Sequence, residues 1–249
     1  MRILGIASSL GGTGKTTTSI ALASAIQRLG HRTALIDFDI GLGNIERMIG
    51  PVRLGPDLLD VIDSTRSMEP ESCADGLLVI PSSRMSDTRA LEPQQIQHLF
   101  EHCRALGLDY VICDLPPSLG QPLLGVANLA DDIIVTYTAC MSFTHTVSPL
   151  LHHLRESQPH IDKACKLHLL VTRAPSQSHM PNAWSIGESL PDKEKPSLLG
   201  VIPKVDAPHS SSGSAGKADP LQDEGVLTAY SAIATQLVHM HTTDHDEEN

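Results

Sequence analysis

The chain has 249 residues and a formal net charge of −11, with 41% hydrophobic and 19% charged residues. That balance suits one globular domain with a sizeable core, and the acidic excess argues against broad electrostatic binding to nucleic acid or an anionic membrane. Aromatics are only 3%, so the core must be aliphatic; the five cysteines form no C-x-x-C pair, which suits reduced cytosolic thiols, and no apolar run approaches the ~18 residues of a membrane span.

Ile3 to Ala7 reads as a buried strand. It runs into small residues and glycines, not into a signal-peptide cleavage pattern. The order strand, glycine-rich loop, helix start across Ile3 to Thr18 is the context of a phosphate-binding loop. Gly11, Gly12 and Gly14 lack a Cβ, so backbone N–H groups can close around phosphate oxygens. Lys15 is placed to reach the β- and γ-phosphates, and Thr16 to put its hydroxyl on Mg²⁺. Ser9 stands where the general pattern G-x-x-x-x-G-K-[ST] asks for Gly.

A helix is expected from Lys15 to Leu29, stopped by Gly30, and then a strand from Thr33 to Ile36 that ends in Asp37. Strand, helix and strand in so short a span imply a right-handed parallel βαβ unit. Asp37 to Asn44, D-F-D-I-G-L-G-N, then forms a loop at the carboxyl edge of the sheet, where open α/β sheets bind ligands. Asp37 and Asp39 stand two apart, so an extended segment would aim both the same way. Asp39 is the candidate for orienting the attacking water, and Asp37 for the outer shell of the metal.

Further on, a short helix is expected at Leu58 to Ile62, a strand at Leu77 to Ile80 and a polar loop at Ser82 to Arg89. Ile96, Leu99, Phe100, Cys103 and Leu106 mark a one-sided helix from Pro93, closed by Gly107. Tyr110 to Cys113 is a strand ending in Asp114, which can hold Mg²⁺ opposite the glycine loop. Pro116, Pro117 and Gly120 shape the loop that follows it, placed to sense the γ-phosphate. Ile133 to Thr136, Leu167 to Val171 and Leu198 to Ile202 are the remaining strands, with a helix around Leu150 and Leu154 and a closing helix around Val226 to Leu237. The alternation predicts a doubly wound, mostly parallel sheet with helices on both faces. One domain over residues 1–240 is expected, with a mobile loop at 203–220 and an acidic, frayed tail at 241–249 whose histidines are solvated. Trp184 and Met180 are read as packing residues.

The chain resembles the MinD/ParA family of P-loop ATPases, on its septum-site-determining branch. The resemblance rests on Gly11 to Thr17, on L-I-D-F-D-I-G-L-G-N at Leu35 to Asn44, and on the D-x-P-x-x-x-G loop at Asp114. Weaker likenesses continue in order to Pro203. The resemblance implies a nucleotide-contact set of Ser9, Gly11, Gly12, Thr13, Gly14, Lys15, Thr16 and Thr17, joined by Asn44 and Arg173. It implies a metal set of Thr16, Asp37 and Asp114, and Lys15 and Asp39 as the catalytic pair. It further implies an ATPase that binds Mg-ATP, forms a nucleotide-dependent homodimer, and works in the cytoplasm or at the inner face of the membrane. A protein partner, either an activator or a cell-division inhibitor, goes with that reading.

Three departures from the family shape the expectations. Leu10 replaces a signature Lys that reaches across the dimer, so weak or slow hydrolysis is expected. From Ala218 onward there is no Lys or Arg, so membrane attachment through a basic amphipathic C-terminal helix is not expected. After Thr172-Arg173 the chain reads A-P-S and not Tyr-Asn, and after Pro203 it reads K-V-D, both near the adenine in the family. A non-hydrolysing nucleotide-binding regulator and a ParA-like partition ATPase on DNA are the competing readings; the net charge disfavours DNA. The scattered cysteines offer no support for an iron–sulfur ATPase of the same superfamily.

Overall fold

The computed structural model describes residues 1–50, 56–63, 76–83, 91–157, 165–175, 196–205 and 219–247. Seven parallel strands form one sheet: β1 (Arg2–Ala7), β2 (Thr33–Asp37), β3 (Leu78–Ile80), β4 (Tyr110–Asp114), β5 (Asp132–Thr138), β6 (Lys166–Ala174) and β7 (Ser197–Pro203). Their order is β3-β2-β4-β1-β5-β6-β7. β1 is central, with β4 on one side and β5 on the other. All pairings are parallel, so every carboxyl end opens at the same edge.

β1 to β5 are buried along almost their whole length, as their near-continuous aliphatic runs require, whereas the edge strand β7 is only partly covered. Successive residues alternate between two apolar layers. Ile3, Ile36, Val111 and Ile133 belong to one layer, packed with α4 (Pro93–Ala105), α5 (Gln121–Ala127) and α7 (Ser148–Ser157). Leu4, Leu35, Ile112 and Ile134 belong to the other, packed with α1 (Lys15–Arg28) and α8 (Glu224–Glu247). This is the doubly wound arrangement that the alternation of elements predicts.

Most expected elements stand where the periodicity puts them. Leu58–Ile62 is helix α3, started by a capping box in which Asp57 accepts from the N–H groups of Leu59 and Asp60. Pro149 lies in the first turn of α7, where its missing N–H costs nothing. Short helices α2 (Ile45–Ile49) and α6 (Phe143–Thr146) and the seven-residue α5 are additions. They have too few turns to give a readable period. The loops expected at Ser82 to Arg89 and Pro203 to Pro220 fall mostly outside the described residues, and Trp184 and Met180 fall wholly outside them.

The end of the chain differs from expectation. α8 continues through the polar stretch to Glu247, and His241 is buried. His241 Nε2 lies 2.8 Å from Asp132 Oδ2, and His168 Nε2 lies 2.7 Å from Asp132 Oδ1. Arg2 Nη2 donates to the His241 carbonyl at 3.4 Å. The expectation of solvated tail histidines is therefore corrected at His241. Its partners lie 109 or more residues away in sequence, so composition alone could not reveal them.

Candidate functional site

The glycine loop leaves β1 at Ser8 and enters α1 at Lys15. Gly12 and Gly14 take positive φ of 76° and 89°, a region open to glycine at little cost. Hydrogen bonds from several strands hold the loop. Thr172 Oγ1 donates to the Thr13 carbonyl at 2.8 Å, and Thr13 Oγ1 and Thr136 Oγ1 are 2.9 Å apart. Ser9 donates its hydroxyl to the Thr146 carbonyl of α6. Ser9 thus ties the loop to its surroundings, a use of the side chain that glycine at this position would not offer.

Lys15 is 8% exposed. Its ammonium donates to Ser8 Oγ at 2.9 Å and to the Leu10 carbonyl at 3.3 Å. Burial lowers its pKa, and the nearby carboxylates of Asp114 and Asp39 oppose that shift. Leu10 itself points out, 44% exposed.

Asp37 and Asp114 end neighbouring strands and are register partners across β2 and β4. Asp37 Oδ1 accepts from the Asp39 N–H at 3.0 Å, and Oδ2 from the Ile45 N–H at 3.3 Å. Asp114 Oδ1 accepts from Ser19 Oγ at 3.0 Å, and the Thr16 hydroxyl also bonds to this carboxylate. Burial, reinforced by the neighbouring Asp114 charge, pushes Asp37 up to about 7. Burial pushes Asp114 up to about 6 against the hydrogen bonds from Thr16 and Ser19. Burial also raises Asp39, and Lys15 opposes that rise.

The structure therefore brings Lys15, Thr16, Asp37, Asp39 and Asp114 together. The strand ends at Asp37, whose side chain captures the Asp39 N–H and turns the backbone. Asp37 is consequently buried beside Asp114, whereas the half-buried Asp39 interacts with Lys15. Asn44 stands exposed at the head of α2, its amide donating to the Leu42 carbonyl at 3.0 Å. Thr17 and Arg173 line a separate cavity beside Gly14.

Two carboxylates and one hydroxyl are hard oxygen donors. They fit Mg²⁺, which keeps several waters and takes the rest of its shell from phosphates. No cluster of three or more His, Cys, Asp or Glu able to hold a metal by itself occurs among the described residues.

Sequence reasoning missed Ser8, Ser19 and Tyr230. Ser19 lies one turn after Lys15, so helical spacing could have found it. Tyr230 Oη lies 2.8 Å from Thr18 Oγ1, a contact between the ends of the chain that no local signal announces.

Comparison with known proteins places these features in context. The ParA family model, described as NUBPL iron-transfer P-loop NTPase, matches residues 1–150. The septum site-determining protein MinD of Neisseria meningitidis serogroup B is 30% identical over 217 residues, covering 82% of this chain and 78% of the relative. MinD of Escherichia coli is 29% identical over 216 residues, with the same coverage. Among solved structures, the MinC:MinD cell division protein complex of Aquifex aeolicus superposes with a TM-score of 0.75 at 21% identity, covering 96% of each chain. Cobyrinic acid a,c-diamide synthase of Mycobacterium smegmatis, with bound ADP and magnesium, also gives 0.75 at 21% identity, covering 98% of this chain and 96% of that one. At such identity the structural likeness establishes the fold.

Proposed function

The chain belongs to the MinD/ParA family of P-loop ATPases, and from that premise we propose that it is a MinD-like switch that binds Mg-ATP, dimerises on it and hydrolyses it slowly, in division-site selection or a related spatial task. The observation that carries this reading is the convergence of Lys15 with the register-paired Asp37 and Asp114 at the mouth of the glycine loop.

In this reading the N–H groups of the loop and the start of α1 receive the phosphates. Lys15 exchanges its contacts with Ser8 and Leu10 for phosphate oxygens. Thr16, Asp37 and Asp114 would hold the magnesium, which when bound would offset phosphate charge. Asp39, less buried and facing Lys15, orients the attacking water. Leu10 cannot donate to the partner's phosphates, so transition-state charge is less well stabilised and turnover is slow. That same residue favours, as a second reading, a regulator that binds ATP without hydrolysing it.

The Aquifex MinD was solved with MinC, and a protein partner of that kind is carried over to this chain. The protein would act in the cytoplasm. No described helix is long and apolar enough to cross a membrane, and the last helix lacks the basic residues of a surface-seeking one. Iron transfer is disfavoured: of the described cysteines, Cys103, Cys113 and Cys165 are buried, and Cys140 alone is exposed.

The test is nucleotide binding, molar mass by light scattering and phosphate release for the purified chain with Mg²⁺, beside Lys15→Ala. The expected result is an ATP-dependent dimer, with binding reduced at least about tenfold in the variant. Equal behaviour of the two proteins would sink the proposal.

A further inference from the structure

β2 and β3 run side by side, and their pairing ends at Ile36 and Ile80. Pro81 has no N–H to donate, so the ladder cannot continue through it. Ser82 and Ser83 follow, both buried. The Ser82 hydroxyl donates to the Asp39 carbonyl at 2.7 Å, and the Gly41 N–H donates to the Ser83 carbonyl at 3.3 Å. The Pro81 carbonyl accepts from the Leu58 N–H at 2.9 Å, which fastens this end of β3 to α3.

The loop that carries Asp39 closes back on the same serine. A Cβ on Gly43 would stand 2.4 Å from Ser82 Cβ and 2.5 Å from Asp37 Oδ2. Residues 39–43 are therefore folded against Ser82 on one side and the Asp37 carboxylate on the other. The Asp39 backbone is held by both: its N–H by Asp37 Oδ1 at 3.0 Å, and its carbonyl by Ser82. Asp37 belongs to the proposed metal set, so a loop fixed to Asp37 alone would shift with it. Ser82 comes from a different strand and gives Asp39 a second anchor.

A group that orients a water must itself be held to within about half an ångström. We propose that Ser82 is a positioning residue for hydrolysis, its hydroxyl fixing the Asp39 backbone so that the Asp39 carboxylate addresses the attacking water. The inference rests on the proposed ATPase reading and on the role given there to Asp39. The Asp39 carbonyl also accepts from the Leu42 N–H at 3.1 Å. Loss of the Ser82 hydroxyl would thus loosen the loop without orphaning the carbonyl.

The test is Ser82→Ala in the full chain with Mg-ATP, in the wild type and in a Leu10→Lys background. The rate constant for phosphate release should fall about tenfold, while the dissociation constant of Mg-ATP stays within about twofold. With Asp39→Asn the effect should vanish, the double variant being no slower than Asp39→Asn alone. Ser82→Cys keeps the volume but donates weakly, so its rate should lie between; it carries the same test if Ser82→Ala does not fold by circular dichroism. An unchanged rate, a loss of affinity as large as the loss of rate, or losses that multiply in the double variant would each overturn the proposal and leave nucleotide binding standing. Nucleotide bound by the wild type and by Leu10→Lys without phosphate release also overturns it, since no step is left to position. Failure to bind nucleotide at all, in a folded chain, overturns the ATPase reading itself and this proposal with it.

Discussion

His241 Nε2 donates to Asp132 Oδ2 across 2.8 Å, and this pair fastens the last helix to the foot of the sheet. The other carboxylate oxygen accepts from His168, whose Nδ1 lies 2.5 Å from Ser197 Oγ, and His241 Nδ1 lies 3.2 Å from Tyr110 Oη. Burial alone would raise Asp132; the hydrogen bonds from the two histidines outweigh it and hold the carboxyl well below the usual range. Eleven residues earlier the same helix presents Tyr230 to α1 and the cavity. The helix therefore spans both ends of the molecule.

Removing one partner leaves a buried charge less well satisfied. His241→Ala should lower stability by about 2–4 kcal/mol, read from urea unfolding. A loss below about 0.5 kcal/mol would show that the helix is held by its apolar face alone. Because the folded pKa of Asp132 is depressed, its contribution is present above the unfolded value near 4 and fades as pH falls through the folded one. Acid unfolding should thus begin at higher pH in the variant.

Asp37 and Asp114 have the opposite sign. Their folded pKa values, about 7 and about 6, lie above the unfolded value. The ligand-free fold holds protons that the unfolded chain has released, so its stability falls as pH rises from about 4 to about 7. A cation bound at the pair, as the proposed function requires, would displace those protons. Mg-nucleotide affinity should climb by about tenfold between pH 6 and pH 8, and calorimetry in buffers of different ionisation enthalpy should show proton release at pH 6. A flat profile would contradict the pairing. Asp37→Asn should flatten it.

Leu10 projects into solvent from the phosphate loop while its carbonyl receives Lys15. Leu10→Lys supplies a donor without disturbing that carbonyl. Steady-state phosphate release should rise by about tenfold or more. An unchanged rate, with ATP still bound, would mean that something other than the missing cation limits turnover.

Gly43 packs where a Cβ would overlap both Ser82 and the Asp37 carboxylate. Asp37 is strand-anchored and cannot retreat without losing the Asp39 and Ile45 N–H groups. Gly43→Ala should cost about 1–3 kcal/mol of stability and weaken Mg-nucleotide binding. Retention of full affinity would argue against Asp37 as part of the metal site.

Local signals carried the fold a long way. Aliphatic runs placed all seven strands, because a strand buried on both faces must be apolar along its length. The loop from Gly11 to Thr17 was legible because phosphate binding needs particular residues at consecutive positions. Asp37 and Asp114 were legible because each ends an apolar run, and parallel strands put all such ends at one edge. Tertiary structure alone decided the rest. Only packing revealed that Asp37 is buried as the register partner of Asp114 while the half-buried Asp39 lies near Lys15. Only packing brought Tyr230 to Thr18 and His241 to Asp132, over separations of 212 and 109 residues. A histidine among polar neighbours looks solvated in sequence, and becomes buried when a distant carboxylate supplies the hydrogen bond that offsets its loss of water.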